Sequence, residues 1–402
     1  MDPELIDRLV VENDTKIVFL IMDGLGGLPR EPEGLTELEA ARTPHLDGLA
    51  AHSVCGLLDP VGFGITPGSG PAHFALFGYD PIKTNVGRGL LSAAGIDFPM
   101  SEDDLFARVN FATIDGDGRV SDRRAGRIDT TTNRRICEKL TEEINLGGGI
   151  EVFLEPEKEH RALLVLRGKG LSARISDTDP QKTGRKPLTP QPLNPEAKET
   201  ADLVGNLLEQ AGEILADEEQ ANMILLRGFA RYEKIRTLQE RFRLKSLAIA
   251  EYPMYRGISR LLGMDIHPLT GSLEGQMAAL AEQYPRYDFF FIHIKQTDSC
   301  GEDGDYDGKT AVIEATDRLL PLILELQPHV LVVTGDHSTP AAMAAHSWHP
   351  VPVLVASPLA RPDRVTRFGE RDCAAGGLSR MPMVHLMGVA LAHAGRLTKF
   401  GA

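Results

Sequence analysis

The chain has 402 residues, 42% of them apolar, which is enough for a sizeable core and for two domains. A formal charge of −14 argues against nonspecific nucleic-acid binding, while leaving room for a local basic pocket that takes a small anion. The four cysteines, Cys55, Cys137, Cys300 and Cys373, form no C-x-x-C pair, so reduced thiols are expected rather than a disulfide scaffold or a zinc ribbon.

The first strong apolar run, IVFLIM at 17 to 22, follows an acidic opening and is too short for a signal or a membrane span. A cytoplasmic protein without a membrane partner is expected. The run suits a buried parallel strand, and Asp23-Gly24 falls just past its C-terminal end, the edge where ligands sit in open α/β sheets. An ordinary Asp-Gly turn is the alternative reading of Asp23. ARTPHLDGLAAHS predicts a short helix with Thr43 as cap and Pro44 at its first position. The stretch GITPGSGPAHFALFGYDP sets Ser69 between two glycines at a helix start. Unpaired N–H groups and the positive end of the helix dipole would favour a phosphoryl group on that serine. The plainer alternative is a serine that only caps.

From about residue 96 the pattern changes to an α+β texture. NFATIDGDGRVSD reads as two strands about an Asp-Gly-Asp-Gly turn, RALLVLRG and SARISDT as strands, TNRRICEKLTEEI and the stretch from Asn194 as helices, and DPQKTGRKPLTPQPLNP as an irregular connector. Arginines collect here: Arg123, Arg124 and Arg127 beside Asp122, then His160 with Arg161 and Arg167, Arg185 and Arg227. Guanidinium forks match carboxylate and phosphate oxygens, so a phosphorylated acid is a reasonable ligand, against the alternative of solvated surface charge. After about 240 the α/β rhythm returns. LKSLAIAE, YDFFFIHIK, HVLVVTGDHSTP and the run after His346 predict strands, which place Asp298, Asp336, His337 and His346 at strand ends. Carboxylates and imidazoles so spread could coordinate two divalent cations, with a serine oxygen bound to one of them.

IMDGLGG, TPGSGPAHFALFGYDP, DRRAGR, SDTDP, RGISRLLGMD, TGDHSTP and HSWHPVPVLV, in this order over nearly the whole chain, resemble the archaeal-type cofactor-independent phosphoglycerate mutases of the alkaline phosphatase superfamily. The resemblance implies an α/β fold: an alkaline-phosphatase-like core with a mainly parallel sheet between helices (1–95 and 240–402), plus an inserted smaller α+β domain that binds substrate (96–239). It implies an isomerase, an intramolecular phosphotransferase of class EC 5.4.2.12, that interconverts 3-phosphoglycerate and 2-phosphoglycerate through a phosphoserine on Ser69. Asp23, Ser69, Asp336 and His337 match one metal site, and Asp298, Glu302 and His346 the other. Mn²⁺ or Mg²⁺ is expected there, with Co²⁺ or Zn²⁺ as alternatives. The expected substrate contacts are Arg123, Arg124, Arg127, His160, Arg161, Arg185, Arg227 and Arg256. Glu302 stands where the family pattern carries a histidine; a carboxylate is a competent ligand for Mn²⁺ or Mg²⁺. A phosphomonoesterase, a mutase for another small phosphorylated metabolite, or a noncatalytic phosphate-binding relative are the alternative functions.

Overall fold

The computed structural model describes residues 3–84 and 86–401. In chain order the strands are β1 (Ile17–Met22), β2 (Val54–Asp59), β3 (Asp104–Ile114), β4 (Val120–Asp122), β5 (Glu151–Lys158), β6 (Arg161–Arg167), β7 (Met223–Arg231), β8 (Ser246–Ala250), β9 (Asp265–Ile266), β10 (Phe289–Ile294), β11 (Val330–Thr334), β12 (Val351–Ala356) and β13 (Ser379–Pro382). The chain divides into two compact units: Met1–Asn85 with Ile235–Ala402, and Val86–Lys234. The second begins about ten residues before the expected boundary because the helix Arg88–Gly95 belongs to it. Gly89 lies so close to Phe106 of β3, and Arg88 to Gly228 of β7, that no added Cβ would fit at either glycine.

The first unit holds one sheet in the order β13-β2-β12-β11-β1-β10-β8-β9. Its pairs are parallel except those made by β12, which runs against both β11 and β2. Every residue of β1 and β10 is buried, as expected of strands covered on both faces. On one face Val18, Leu20, Phe290, Ile292, Leu331 and Val333 form a core with Ile313, Leu320 and Ile323 of the helix Tyr306–Leu324. On the other, Phe289 meets Phe19 and Phe77 edge to face, and Phe77 meets Phe291 in the same way. This topology selects one edge for chemistry. The C-terminal ends of β1, β10, β11 and β2 lie together there, and the reversed β12 brings its N-terminal end to the same place, since Val351 pairs with Leu58.

The second unit is an antiparallel sheet, β4-β3-β6-β5, with β7 on the other side of β3. Leu105, Val109 and Phe111 of β3 point into a core with Ile136 and Leu140 of the helix Thr130–Glu143 and with Val204, Leu207 and Ala211 of the helix Lys198–Ile214. The alternate residues Arg108 and Asn110 therefore face the opposite side. SARISDT, expected as a strand, forms no strand; it makes an isolated bridge at Ile175 with Pro192 and a few separate backbone hydrogen bonds, such as that from Ser176 N–H to the Gln191 carbonyl. Its partner segment carries Pro187, Pro190, Pro192 and Pro195, which have no N–H to extend a ladder.

Candidate metal centre and anion site

Each acidic or imidazole group at the sheet edge is delivered by the element before it. Asp23 follows β1, Asp336 and His337 follow β11, and His346 precedes β12. Asp298 lies in the first turn of the helix Gln296–Glu302 that follows β10, and Glu302, four residues on, lies on the same helical face. Ser69 is the first residue of the helix Ser69–Leu76. Gly68 takes the cap position in extended conformation, so the hydroxyl is not consumed in capping. Ser69 Oγ lies 3.4 Å from His337 Nε2.

Two clusters result. In one, His337 Nε2 is 3.4 Å from Asp23 Oδ1 and 3.2 Å from Asp336 Oδ2. In the other, Asp298, His337 and His346 converge, with His346 Nε2 3.6 Å from Asp298 Oδ1 and the two imidazoles stacked at 3.8 Å. Glu302 lies at the rim of the second cluster, half exposed, with Oε1 3.7 Å from His346 Nε2. Burial alone would push Asp336 up, but His337 and His73 hold it well below the usual carboxylate range. Burial likewise dominates at His337 and lowers it despite Asp336 and Asp23 beside it, which favours a neutral, ligating imidazole.

Both oxygens of Asp23 and Oδ2 of Asp336 are buried and accept no hydrogen bond of good geometry, although Lys295 Nζ lies 3.1 Å from Asp23 Oδ2 and His73 Nδ1 3.2 Å from Asp336 Oδ2. Buried carboxylates so sparsely hydrogen-bonded are expensive unless further positive charge reaches them. A mixed set of carboxylate oxygen and imidazole nitrogen suits divalent ions such as Mn²⁺, Mg²⁺ or Zn²⁺. These two clusters are consistent with divalent metal binding.

Four further residues complete this site, and none stood out in the sequence. Lys295, next after β10, sets its ammonium 3.1 Å from Asp23 Oδ2 and in direct contact with Asp298, joining the two clusters. The Tyr255 hydroxyl interacts with Asp23 and Ser69, and burial drives its pKa well above the usual phenol range. Behind it the buried His73 ring stacks against Tyr255, and the buried His293 ring lies tilted on it at 3.9 Å. His73 Nδ1 reaches the Ser69 carbonyl at 2.9 Å and Asp336 Oδ2 at 3.2 Å.

The arginines sort differently from the expectation. Arg123 is committed to a bidentate pair with Asp179, at 3.1 and 2.6 Å. Arg256, in the first unit, donates to the Ala250 and His267 carbonyls at 2.9 and 2.8 Å. Arg124, Arg127 and Arg185 are exposed. Arg161 and Arg227 do converge, together with two arginines the sequence reading passed over. Register places Arg227 opposite Arg108, and Arg161 opposite Asn110, all on the side of the sheet away from the helices Thr130–Glu143 and Lys198–Ile214. Arg108 is pushed down to about 10 by burial and by Arg161, with Arg88 and Arg227 adding to the repulsion. Arg88 is lowered by burial and then by Arg227. Burial and Arg161 likewise bring His160 down to about 4, a neutral imidazole at the rim of the cluster. The Nε atoms of Arg108, Arg161 and Arg227 and Oδ1 of Asn110 are buried without a hydrogen bond, while Arg227 also faces Asp177 and Asp179 at 3.7 Å. A set of like charges with unused donors is suited to an anion.

A mixed α/β sheet carrying Asp, His and Ser side chains on one edge, with two clusters fit for divalent cations, defines an alkaline-phosphatase-like phosphotransferase. A model of the family described as 2,3-bisphosphoglycerate-independent phosphoglycerate mutase matches residues 50–221. The chain is 49% identical over 401 residues, 99% of both proteins, to the probable 2,3-bisphosphoglycerate-independent phosphoglycerate mutase of Thermus thermophilus. It is 48% identical over 408 residues to its counterpart in Aquifex aeolicus, covering 99% of this chain and 100% of that one. Among solved structures, a Pyrococcus horikoshii protein superimposes with a TM-score of 0.82 at 29% identity, covering 97% of this chain and all of that one. The cofactor-independent phosphoglycerate mutase of Thermoplasma acidophilum gives 0.72 at 29% identity over 95% of this chain and all of that one. The chain belongs to the 2,3-bisphosphoglycerate-independent phosphoglycerate mutase family, and is an isomerase with the phosphoglycerate mutase type of phosphotransfer. Among the described residues no helix is long and apolar enough to cross a membrane.

Proposed function

We propose that the chain interconverts 3-phosphoglycerate and 2-phosphoglycerate through a phosphoserine on Ser69. Asp23, Ser69, Asp336 and His337 would hold one divalent ion, and Asp298, Glu302 and His346 a second, with Mn²⁺ or Mg²⁺ the best match to this oxygen-rich set. The observation that carries the reading is a serine hydroxyl, not used as a cap, at the first position of a helix, beside His337 and two buried clusters of carboxylates and imidazoles. All four cysteines are unpaired thiols, in keeping with a cytoplasmic setting.

Bound ions supply Lewis-acid stabilisation of the serine oxygen and of the phosphate oxygens. As Ser69 Oγ attacks phosphorus in line, the Oγ–P bond forms and the bond to the glycerate oxygen breaks; the one proton lost from Oγ is balanced by the one that the departing oxygen takes up to leave as a hydroxyl. The first-turn N–H groups of the helix favour the phosphoryl charge now on Ser69. Tyr255, in contact with Ser69 and Asp23, fixes the direction of Oγ, and Lys295 keeps Asp23 and Asp298 from repelling each other. The unit from Val86 to Lys234 acts as the substrate domain, in which Arg88, Arg108, Arg161 and Arg227 take the anionic groups of glycerate. The second glycerate hydroxyl then attacks the phosphoserine, transferring the phosphoryl group to the neighbouring carbon and restoring Ser69.

The test is an assay of purified protein with 3-phosphoglycerate and Mn²⁺, coupled to enolase. Formation of 2-phosphoglycerate supports the reading. Release of inorganic phosphate alone makes the protein a phosphatase, and neither product makes it a binding protein.

A further inference from the structure

His337 is the one side chain common to both cation clusters, and an imidazole nitrogen that carries a proton cannot bind a metal. What its second nitrogen does therefore decides which cluster His337 serves. His337 Nδ1 lies 3.0 Å from Thr339 Oγ1, and Thr339 Oγ1 lies 2.6 Å from Asp298 Oδ1. All three groups are buried, so no solvent substitutes for these contacts. Asp298, paired with Lys295, is a carboxylate that accepts only. The single hydroxyl proton of Thr339 must then go to Asp298, which leaves the hydroxyl oxygen as an acceptor for His337 Nδ1–H.

We infer that Thr339 is a positioning residue: its hydroxyl fixes His337 as the Nδ1–H tautomer, assigns the Nε2 lone pair to the cation site of Asp23 and Asp336, and ties that site to Asp298 of the other. Nε2 already faces Asp23 Oδ1, Asp336 Oδ2 and Ser69 Oγ at 3.2 to 3.4 Å. The surrounding backbone is built to hold this hydroxyl. Gly24 adopts a positive φ of +62°, and a Cβ there would come within 2.5 Å of Thr339 Oγ1 and 2.7 Å of Asp298 Oδ1. A Cβ on Gly301, three residues beyond Asp298, would collide with the Thr339 carbonyl. That carbonyl accepts from the buried Lys309 ammonium at 2.9 Å, while the Thr339 N–H bonds back to Gly24 and Gly26. The group that accepts from the other ring N–H of a metal-bound histidine characteristically sets ring orientation and ligand basicity in this manner.

The inference rests on His337 being a metal ligand, and the experiment separates the two. Metal-free full-length protein is titrated with Mn²⁺, free ion being followed by its EPR signal, for wild type, Thr339→Val and Thr339→Ser. Wild type should bind with measurable affinity; if it binds no ion, the metal reading itself fails. Thr339→Val keeps the shape and removes the hydroxyl, and should weaken binding by about 10- to 100-fold. Thr339→Ser restores the hydroxyl and should stay within about threefold of wild type. Wild-type affinity in Thr339→Val, or equal loss in both variants, overturns the role of the hydroxyl. In parallel, ¹⁵N-histidine spectra of wild type with Mg²⁺ should show the His337 proton on Nδ1. A proton on Nε2 overturns the inference whatever the variants do, including a Thr339→Val chain that fails to fold.

Discussion

Arg108→Met should separate stability from substrate recognition. The Arg108 guanidinium is depressed from the usual arginine range to about 10 because it is buried and faces Arg161, Arg88 and Arg227, with Glu157 as the opposing charge. At neutral pH the group is charged in both folded and unfolded chains, so the depression is a penalty that the folded state carries. At about 1.4 kcal/mol per pH unit it amounts to roughly 3 kcal/mol. Methionine keeps much of the apolar stem and removes the charge, while Glu157 loses a counter-charge, which takes back part of the gain. The expected net effect is a stabilisation of about 1–2 kcal/mol, read as a higher urea midpoint with an unchanged slope. The same substitution removes a charge-assisted contact of about 1.5–3 kcal/mol to the substrate anion. KM for 3-phosphoglycerate should rise by roughly 10- to 100-fold, with a smaller change in kcat. A variant that is less stable than wild type and keeps its KM would refute the assignment of this cluster as an anion site.

Ser69→Ala should abolish turnover, by about four orders of magnitude or more, and shift stability by less than about 0.5 kcal/mol because the hydroxyl makes no cap. Mass spectrometry should find a phosphoryl adduct on Ser69 in wild type with substrate and none in the variant; full activity in the variant would exclude the phosphoserine route. Glu302→Gln removes one negative charge beside His346 and should lower Mn²⁺ affinity by roughly tenfold together with activity, whereas Glu302→His should restore activity with preference moved towards Co²⁺ and Zn²⁺. Identical metal isotherms in wild type and Glu302→Gln would mean that Glu302 is no ligand. His160 is held neutral, down to about 4 against the usual 6.5, by burial and by Arg161, with Arg124 and Arg108 adding and Glu159 opposing. The unfolded chain binds the proton first, so this contribution is present in full above about pH 6.5 and is lost as pH falls towards 4. His160→Gln should flatten the acid limb of stability measured by urea unfolding between these limits; parallel curves for the two proteins would count against it.

The sequence by itself determined the sheet that carries the site. IVFLIM, FFFIHI and VLVVT are apolar without alternation, which requires cover on both faces, and each is followed at once by a polar break that holds Asp23, Asp298 or Asp336. Ser69 was legible for the same local reason, as the residue between two glycines and a helix start. Local pattern does not report pairing across the chain. Ser69 and His337 are 268 positions apart, and only the strand order, with β12 reversed, brings both to one edge. Arg108 sits inside an otherwise apolar strand and becomes informative only once register sets it opposite Arg227. The same tertiary pairing withdraws Arg123 into Asp179 and ties Arg256 to two carbonyls, although in sequence both looked as available as Arg161. Lys295, Tyr255 and Thr339 were invisible for a related reason. A lysine after a strand, a tyrosine in a helix and a threonine in a loop are ordinary residues until their polar atoms are placed within hydrogen-bond reach of buried carboxylates, and that placement is made by the packing of distant segments.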